Sequence, residues 1–201
     1  MAYKAIGFDY GGVIYGRPGS AFNRAIAELL GVTTDEVRKI YFQNNHRTNI
    51  GEISWEDVWK HIAVELDRAD QQDAIVNLIT EWEKGQKLNH DVIKLIIDLR
   101  SAGYIIGLLS NYNSGLRQKL EEQGIISHFD VIGISSEMGV MKPHAEAFSQ
   151  FCNMLEVQSE ELIYIDDTQK SLETANAVGY TPILFQDSDS LIKELMILKV
   201  I

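Results

Sequence analysis

A single cysteine, Cys152, in a chain of 201 residues cannot make an internal disulfide, and one lone thiol agrees with a reducing compartment. It lies in an apolar stretch, residues 148–155, that reads as a helix, so it is expected as a small buried hydrophobe rather than a nucleophile. No apolar run approaches the ~20 residues that cross a bilayer. The opening MAYKAIGFDYGG has neither a long apolar segment nor a cleavage site, so neither a membrane span nor a secretory leader is expected. Positive charge is scarce: 18 Lys and Arg stand against 29 Asp and Glu, for a net charge of −11. That balance argues against a nucleic-acid or anionic-membrane surface. It also means that a protein of this composition, if it handles an anion, must gather positive charge locally or borrow a metal cation. There is no internal repeat and no low-complexity segment. The length fits one domain, or a core carrying a small inserted one, and suffices for a hydrophobic core without disulfides or a structural metal.

Five short β-rich runs are present, at residues 4–9, 104–110, 130–135, 162–166 and 181–185. They are continuously apolar rather than alternating, as in strands covered on both faces. Helical patterns between them imply right-handed crossovers, and so an α/β, three-layer Rossmann-like core with a parallel sheet. Asn89 can cap a helix over 91–102 that Gly103 ends, and Pro143 suits the first turn of the helix running to Leu155. Gly124 and Gly179 mark two more helix ends, and residues 191–201 read as a terminal helix. The first connection is much too long for one crossover. Residues 20–85 hold four helical patterns and no strand. The first runs from Ser20 to Gly31, the second opens with a Thr33/Glu36 capping box, the third with Ser54 and Asp57, the fourth at Asp70. The spacing predicts a helical cap, residues 16–85, inserted into a core made of residues 1–15 and 86–201.

In open parallel sheets, ligands bind at the carboxyl ends of strands. The residues there are Asp9 with Tyr10-Gly11-Gly12, Ser110-Asn111, Lys142-Pro143 after the third strand, and Asp166-Asp167-Thr168. They amount to a carboxylate, a hydroxyl, an ammonium and an acidic pair. A carboxylate can attack phosphorus and form an aspartyl-phosphate, provided positive charge offsets its repulsion from the anion. A metal between Asp9 and the acidic pair, with Lys142, would supply it, while Ser110 and neighbouring N–H groups hold the other phosphoryl oxygens. Hard oxygen ligands without a Cys/His cluster favour Mg²⁺.

With these residues in view, the chain resembles haloacid dehalogenase-like hydrolases with a helical cap. The resemblance rests on four motifs in order: Phe8-Asp9-Tyr10-Gly11-Gly12-Val13, Leu108-Leu109-Ser110-Asn111, Lys142-Pro143 and Ile165-Asp166-Asp167. It spans nearly the whole chain. It implies that Asp9 is the nucleophile and a metal ligand, and that the Gly11 carbonyl also binds metal. Ser110 and Lys142 would hold the phosphoryl group, with Lys142 steadying Asp9. Asp167 would be the metal-binding acid and Asp166 a supporting or alternative ligand. Two positions depart from the pattern. Gly11 stands where most of the family's phosphatases carry the aspartate that protonates the leaving oxygen, a contribution of about 10²–10⁴-fold. Ser171 stands where many relatives carry another acid. The Gly11 gap favours substrates with good leaving groups, such as anomeric sugar, acyl or aryl phosphates.

Each residue has a plainer reading when taken singly. Asp9 and Ser110 could be helix caps, Lys142 a solvated lysine, and Asp166-Asp167 acids at a helix N-terminus; only their combination speaks for chemistry. Gly11-Gly12 does not match a nucleotide-binding loop. The histidines, at 46, 61, 90, 128 and 144, show no metal spacing, although His144 is near Lys142. Trp55, Trp59 and Trp82 are expected to pack within the cap rather than stack on a substrate. The Asn44-Asn45-His46-Arg47 cluster is either a cap surface facing the substrate or a solvated loop. Tyr15 and Arg17, with Asn111 and Gly12, are the better candidates for substrate contacts. The expected activity is Mg²⁺-dependent hydrolysis of a small phosphorylated metabolite, with a sugar phosphate as a candidate, by a cytoplasmic monomer or homodimer. Three alternatives compete. Metal-free dehalogenation of a 2-haloacid has no use for the acidic pair. A receiver-like signalling module would place that pair before the acceptor. A weak or inactive phosphate-binding relative finds its support in Gly11.

Overall fold

The computed structural model describes residues 2–16 and 20–201. Its strands are β1 (Ala5–Phe8), β2 (Ile105–Ser110), β3 (Val131–Ile134), β4 (Leu162–Asp166) and β5 (Thr181–Leu184), paired in parallel in the order β3-β2-β1-β4-β5. All five lie within the runs read from the sequence. The helices between the strands are α5 (His90–Ser101), α6 (Leu116–Glu122), α7 (Ser135–Met138), α8 (Ala145–Leu155) and α9 (Ala175–Val178), and α10 (Ser188–Ile197) follows the last strand. The long first connection holds α1 (Ser20–Leu30), α2 (Thr34–Asn49), α3 (Trp55–Glu65) and α4 (Gln72–Gly85).

Strand side chains alternate between two apolar layers. Ile6, Phe8, Ile106, Leu108, Ile163 and Ile165 pack with Ile96 and Leu99 of α5, Leu120 of α6 and Leu195 of α10. On the other face Leu109, Leu162 and Tyr164 pack with Phe148, Phe151 and Leu155 of α8 and Ala175 of α9. There Gly7 and Gly107 are register partners. A Cβ on either would collide with the Phe151 ring, so the absent side chains make the slot in which α8 seats. The result is the expected three-layer α/β core.

The insertion has a core of its own, in which Phe22 and Ile26 of α1, Val37 of α2, Trp59 and Ile62 of α3 and Ile79 of α4 pack together. Its local punctuation follows the sequence. Thr33 and Glu36 form the reciprocal capping box, the Ser54 hydroxyl accepts from the Asp57 N–H, and α1 stops before Gly31 at φ +64°. The chain leaves and rejoins the core side by side: Tyr15 forms an antiparallel bridge with Leu88, and the Asn89 N–H donates to the Ile14 carbonyl at 2.8 Å. Among the described residues, no helix is long and apolar enough to cross a membrane.

Three helix starts differ from expectation. Pro143 lies before α8, which begins at Ala145 with His144 as N-cap; Lys142's backbone is tied to Asn111 on both sides, so the helix starts only beyond it. Asp70 lies in a 3₁₀ turn, Ala69–Gln71, and α4 begins after Gln71 with no side-chain cap. The last helix starts at Ser188, three residues earlier than read, because Asp187 caps it by accepting from the Ser190 N–H at 2.7 Å.

Candidate active site

β1 lies between β2 and β4, with Phe8 opposite both Leu108 and Ile165. The strands that follow β1 lie on one side as β2 and β3 and on the other as β4 and β5, so a crevice opens at the carboxyl ends where the winding reverses. Asp9 leaves β1 there, its N–H donating to the Ile165 carbonyl at 2.8 Å. Ser110 and Asp166 are the last residues of β2 and β4.

Lys142 reaches this point from the loop after α7. Asn111 fixes that loop: its Oδ1 accepts the Lys142 N–H and its Nδ2 donates to the Lys142 carbonyl, both at 2.8 Å. The ammonium is buried and all three of its protons are used. It meets Asp9 Oδ1 at 3.0 Å, Asp166 Oδ2 at 2.5 Å and the Tyr164 hydroxyl oxygen at 2.7 Å. Tyr164 in turn donates to the Leu109 carbonyl at 2.6 Å. Asp166, fully buried, also accepts the Thr168 N–H at 2.8 Å. Asp167 accepts the Thr168 hydroxyl at 3.2 Å and lies over Gly12. Gly12 has φ +85°, and a Cβ there would overlap the Asp167 carboxylate, so glycine is required on both grounds.

The electrostatics follow from this packing. Burial pushes Asp9 up to about 6; Lys142 opposes the rise, while Asp166 and Asp167 add to it. Burial works against the charged form of Lys142, but Asp9 and Asp166 outweigh it and hold the ammonium above the ordinary lysine range. Oxygens of Asp9, Asp166 and Asp167 lie within 4.8 Å of one another. One ammonium among three carboxylates leaves an excess of negative charge, which a divalent cation bound through oxygen would neutralise. The donor set therefore fits Mg²⁺.

The cluster opens into a cavity of about 350 Å³. Asp9, Gly11, Ser110, Asn111 and Lys142 line it from the core, and Phe22, Tyr41, Phe42 and all three tryptophans from the insertion. Tyr15 also lines it, stacked on Tyr10 at 5.4 Å, with Lys119 Nζ 4.8 Å from its ring centroid. Lys119 pairs across the crevice with Glu83 of α4 at 3.5 Å. Gly12 lies beneath Asp167 rather than in the cavity wall, and Arg17 falls outside the described residues. His144 is exposed and not part of the lining. Asn45 lines the cavity, whereas Asn44 turns back to the Ile40 carbonyl. Ser171 lines it from the 3₁₀ turn Gln169–Leu172. The tryptophans do both things weighed in the sequence: they pack together and they form cavity wall.

Sequence reasoning missed Tyr164, Lys119, Glu83 and Tyr112, which also lines the cavity; Thr168 was named at its strand end without a role. Tyr164 carried a signal, since it precedes Asp166 by one strand period and so shares its face. Lys119 and Glu83 carried none, because they meet only across the crevice.

Comparison with known proteins adds three findings. A family model described as haloacid dehalogenase-like hydrolase matches residues 3–179. Among curated relatives, bifunctional epoxide hydrolase 2 of Sus scrofa is 24% identical over 116 residues, 55% of this chain and 21% of the relative. Glyceraldehyde 3-phosphate phosphatase of Methanocaldococcus jannaschii is 30% identical over 92 residues, 43% of this chain and 39% of the relative. The matched segments thus span about a fifth to two fifths of these relatives' length. Among solved structures, a mutant HAD family enzyme from Bacteroides thetaiotaomicron, in complex with magnesium and inorganic phosphate, aligns with 94% of this chain and 99% of its own. Its TM-score is 0.69 at 20% identity, a likeness of fold.

Proposed function

This chain belongs to the haloacid dehalogenase-like hydrolases, and from that premise we propose that it is a Mg²⁺-dependent phosphohydrolase acting on a small phosphorylated metabolite through an aspartyl-phosphate at Asp9. The observation that carries this reading is the convergence of Asp9, Asp166 and Asp167, the first two paired with the buried ammonium of Lys142, beside a cavity of ligand size. Asp9 attacks phosphorus with one carboxylate oxygen, and the ester P–O bond breaks with its electron pair on the departing oxygen. Water then cleaves the aspartyl-phosphate, which restores the carboxylate and releases phosphate. Lys142 orients Asp9 and offsets charge on the phosphoryl oxygens, for which Ser110 and the Gly11 N–H are further donors; the Tyr10 N–H already donates to Asp9 Oδ1 and the Gly12 N–H to the Tyr15 carbonyl. Asn111 acts chiefly by positioning Lys142, since its amide is engaged by that residue's backbone.

Bound between Asp9 and Asp167, with the Gly11 carbonyl, Mg²⁺ would lower the repulsion between carboxylate and phosphate. Asp166 supports the site from behind, because both of its oxygens already accept hydrogen bonds. Residues 16–85 would act as a cap that excludes bulk water and selects the substrate over the core of residues 1–15 and 86–201. We place the protein in the cytoplasm, as a monomer or homodimer with no nucleic-acid or membrane partner. The acidic cluster favours phosphatase over dehalogenase chemistry, which would have no need of it. The test is a panel of phosphorylated metabolites, sugar phosphates included, assayed with Mg²⁺ and with chelator, beside the Asp9→Asn variant. Phosphate release that needs both Mg²⁺ and Asp9 is expected. Release that survives either removal, or halide release from chloroacetate in chelator, would overturn the reading.

A further inference from the structure

The cavity wall contributed by the insertion is unusually rich in rings. Tyr41 stacks on Trp59 at 5.2 Å with planes 11° apart. Trp55 meets both edge-on, at 5.7 and 5.4 Å, and Phe22 bridges Trp59 to Trp82 at 5.2 and 5.3 Å. Phe42, from the same helix as Tyr41, lines the cavity while 62% exposed. The indole N–H groups of Trp59 and Trp82 are buried and meet no acceptor among the described residues, so these rings offer apolar surface rather than donors. Amides of Asn23, Asn45 and Asn49 also belong to the lining, where they can meet the polar edge of a flat ligand.

Charge restricts the ligand further. Among the described lining residues the cations are Lys119 and Lys142. Lys142 is matched by Asp9 and Asp166, and Lys119 by Glu83. Neither is left over for a second anionic group. At about 350 Å³ the cavity is of the size that takes a small ligand, with room for a phosphoryl group and a ring. Finally, Gly11 puts no carboxylic acid two residues after the nucleophile, so the leaving oxygen must depart with little proton assistance from that position. A phenol-type oxygen, with a pKa near 10, bears that charge well, whereas an alkoxide does not.

We propose that the substrates are aryl phosphomonoesters: one phosphate joined directly to an aromatic or heteroaromatic ring. The ring stacks against the wall formed by Tyr41, Phe42 and Trp55, and leaves as its oxyanion when Asp9 takes the phosphoryl group; water then protonates it. This rests on the phosphatase reading above and narrows it.

Because all three tryptophans line the cavity, intrinsic fluorescence reports binding directly. With the full chain and Mg²⁺, phenylphosphonate, which has no ester bond to hydrolyse, should bind about 10-fold tighter than methylphosphonate. Replacing the exposed ring, Phe42→Ala, should reduce that preference about 3–10-fold. Equal affinities for the two phosphonates, or a preference untouched in both Phe42→Ala and Trp55→Leu, would overturn the proposal. In turnover, phenyl and benzyl phosphate share the ring and differ in the leaving oxygen. Because both esters give the same aspartyl-phosphate, the leaving oxygen is read in kcat/KM, which should be at least about 10²-fold higher for phenyl phosphate. Equal kcat/KM values, or butyl phosphate and glucose 6-phosphate turned over as well as phenyl phosphate, would sink it while leaving the phosphatase reading intact. Tight phenylphosphonate binding without hydrolysis of any ester would do the reverse: recognition of the aromatic anion would stand and the phosphatase reading would fall.

Discussion

The carboxyl ends of the sheet and the ring-lined wall of the insertion face one cavity but hold it by opposite means. At the sheet, Asp9, Asp166 and Lys142 are locked by a chain of short hydrogen bonds running through Tyr164 to the Leu109 carbonyl. Like charges are held close together in a dry environment, which costs stability and stores reactivity. At the wall, neutral rings pack edge to face in a core of their own, and the surface they present comes at no such cost. On the proposed reading, chemistry would be fixed where the backbone is most constrained, and selectivity would rest with helices that can change without disturbing it.

The most severe way to break this contrast is Asp9→Asn. Hydrolysis should fall by about 10⁴-fold or more, yet the metal-free protein should become more stable. The folded carboxyl, raised to about 6 from the ordinary 3.8, holds its proton more tightly than the unfolded one. Its contribution to stability is full below the unfolded value and is lost as pH rises through the folded one. Urea denaturation in chelator should therefore favour the Asn variant by about 1–3 kcal/mol near pH 7.5, with the gap closing towards pH 4. A variant less stable than its parent at the higher pH would show that the sheet end stores no such strain. Lys142→Met tests the opposite sign. It strands Asp9 and Asp166 without a counter-charge and should cost about 3–5 kcal/mol in the same experiment.

Gly12→Ala should act on metal as well as on fold, since φ +85° strains an alanine by about 1–2 kcal/mol. By displacing Asp167 it is expected to weaken Mg²⁺ affinity about 10–100-fold, measured by calorimetry. Tyr164→Phe removes the hydroxyl between Lys142 and the Leu109 carbonyl and should cost about 1–2 kcal/mol. Phe42→Ala on the wall should leave the melting transition within about 0.5 kcal/mol of the parent, since that ring is largely exposed. A large loss there would make the wall as constrained as the sheet.

The same contrast governs what the sequence disclosed. Asp9, Ser110 and Asp166 were legible because a parallel strand fixes where its last residue points, and neighbouring strands end together. Lys142 was legible through its motif but not its geometry: Asn111 holds the loop, and Pro143, read as a first-turn residue, lies ahead of the helix. The helices of the insertion were found, and the Thr33 and Ser54 caps were placed correctly. Which of their faces meets the crevice depends on how four helices settle over a distant sheet, and local spacing does not encode that. So Trp55, Trp59 and Trp82 were expected to pack rather than to face a substrate, and the Lys119–Glu83 contact went unseen.

The clasp at the root of the insertion sets what the insertion can do. Tyr15 bridges Leu88, and Ile14 accepts from Asn89, so the two chain crossings are held together at one narrow stem. The insertion also meets the core where the Ser135 hydroxyl donates to the Asn49 carbonyl of α2, so a swing about the stem must break that bond. It can also be exchanged as a cassette: a short turn joining the two sides of the stem would leave the sheet and its acidic rim whole, and a lobe from another chain grafted there would redirect the choice of substrate without redesigning the catalyst.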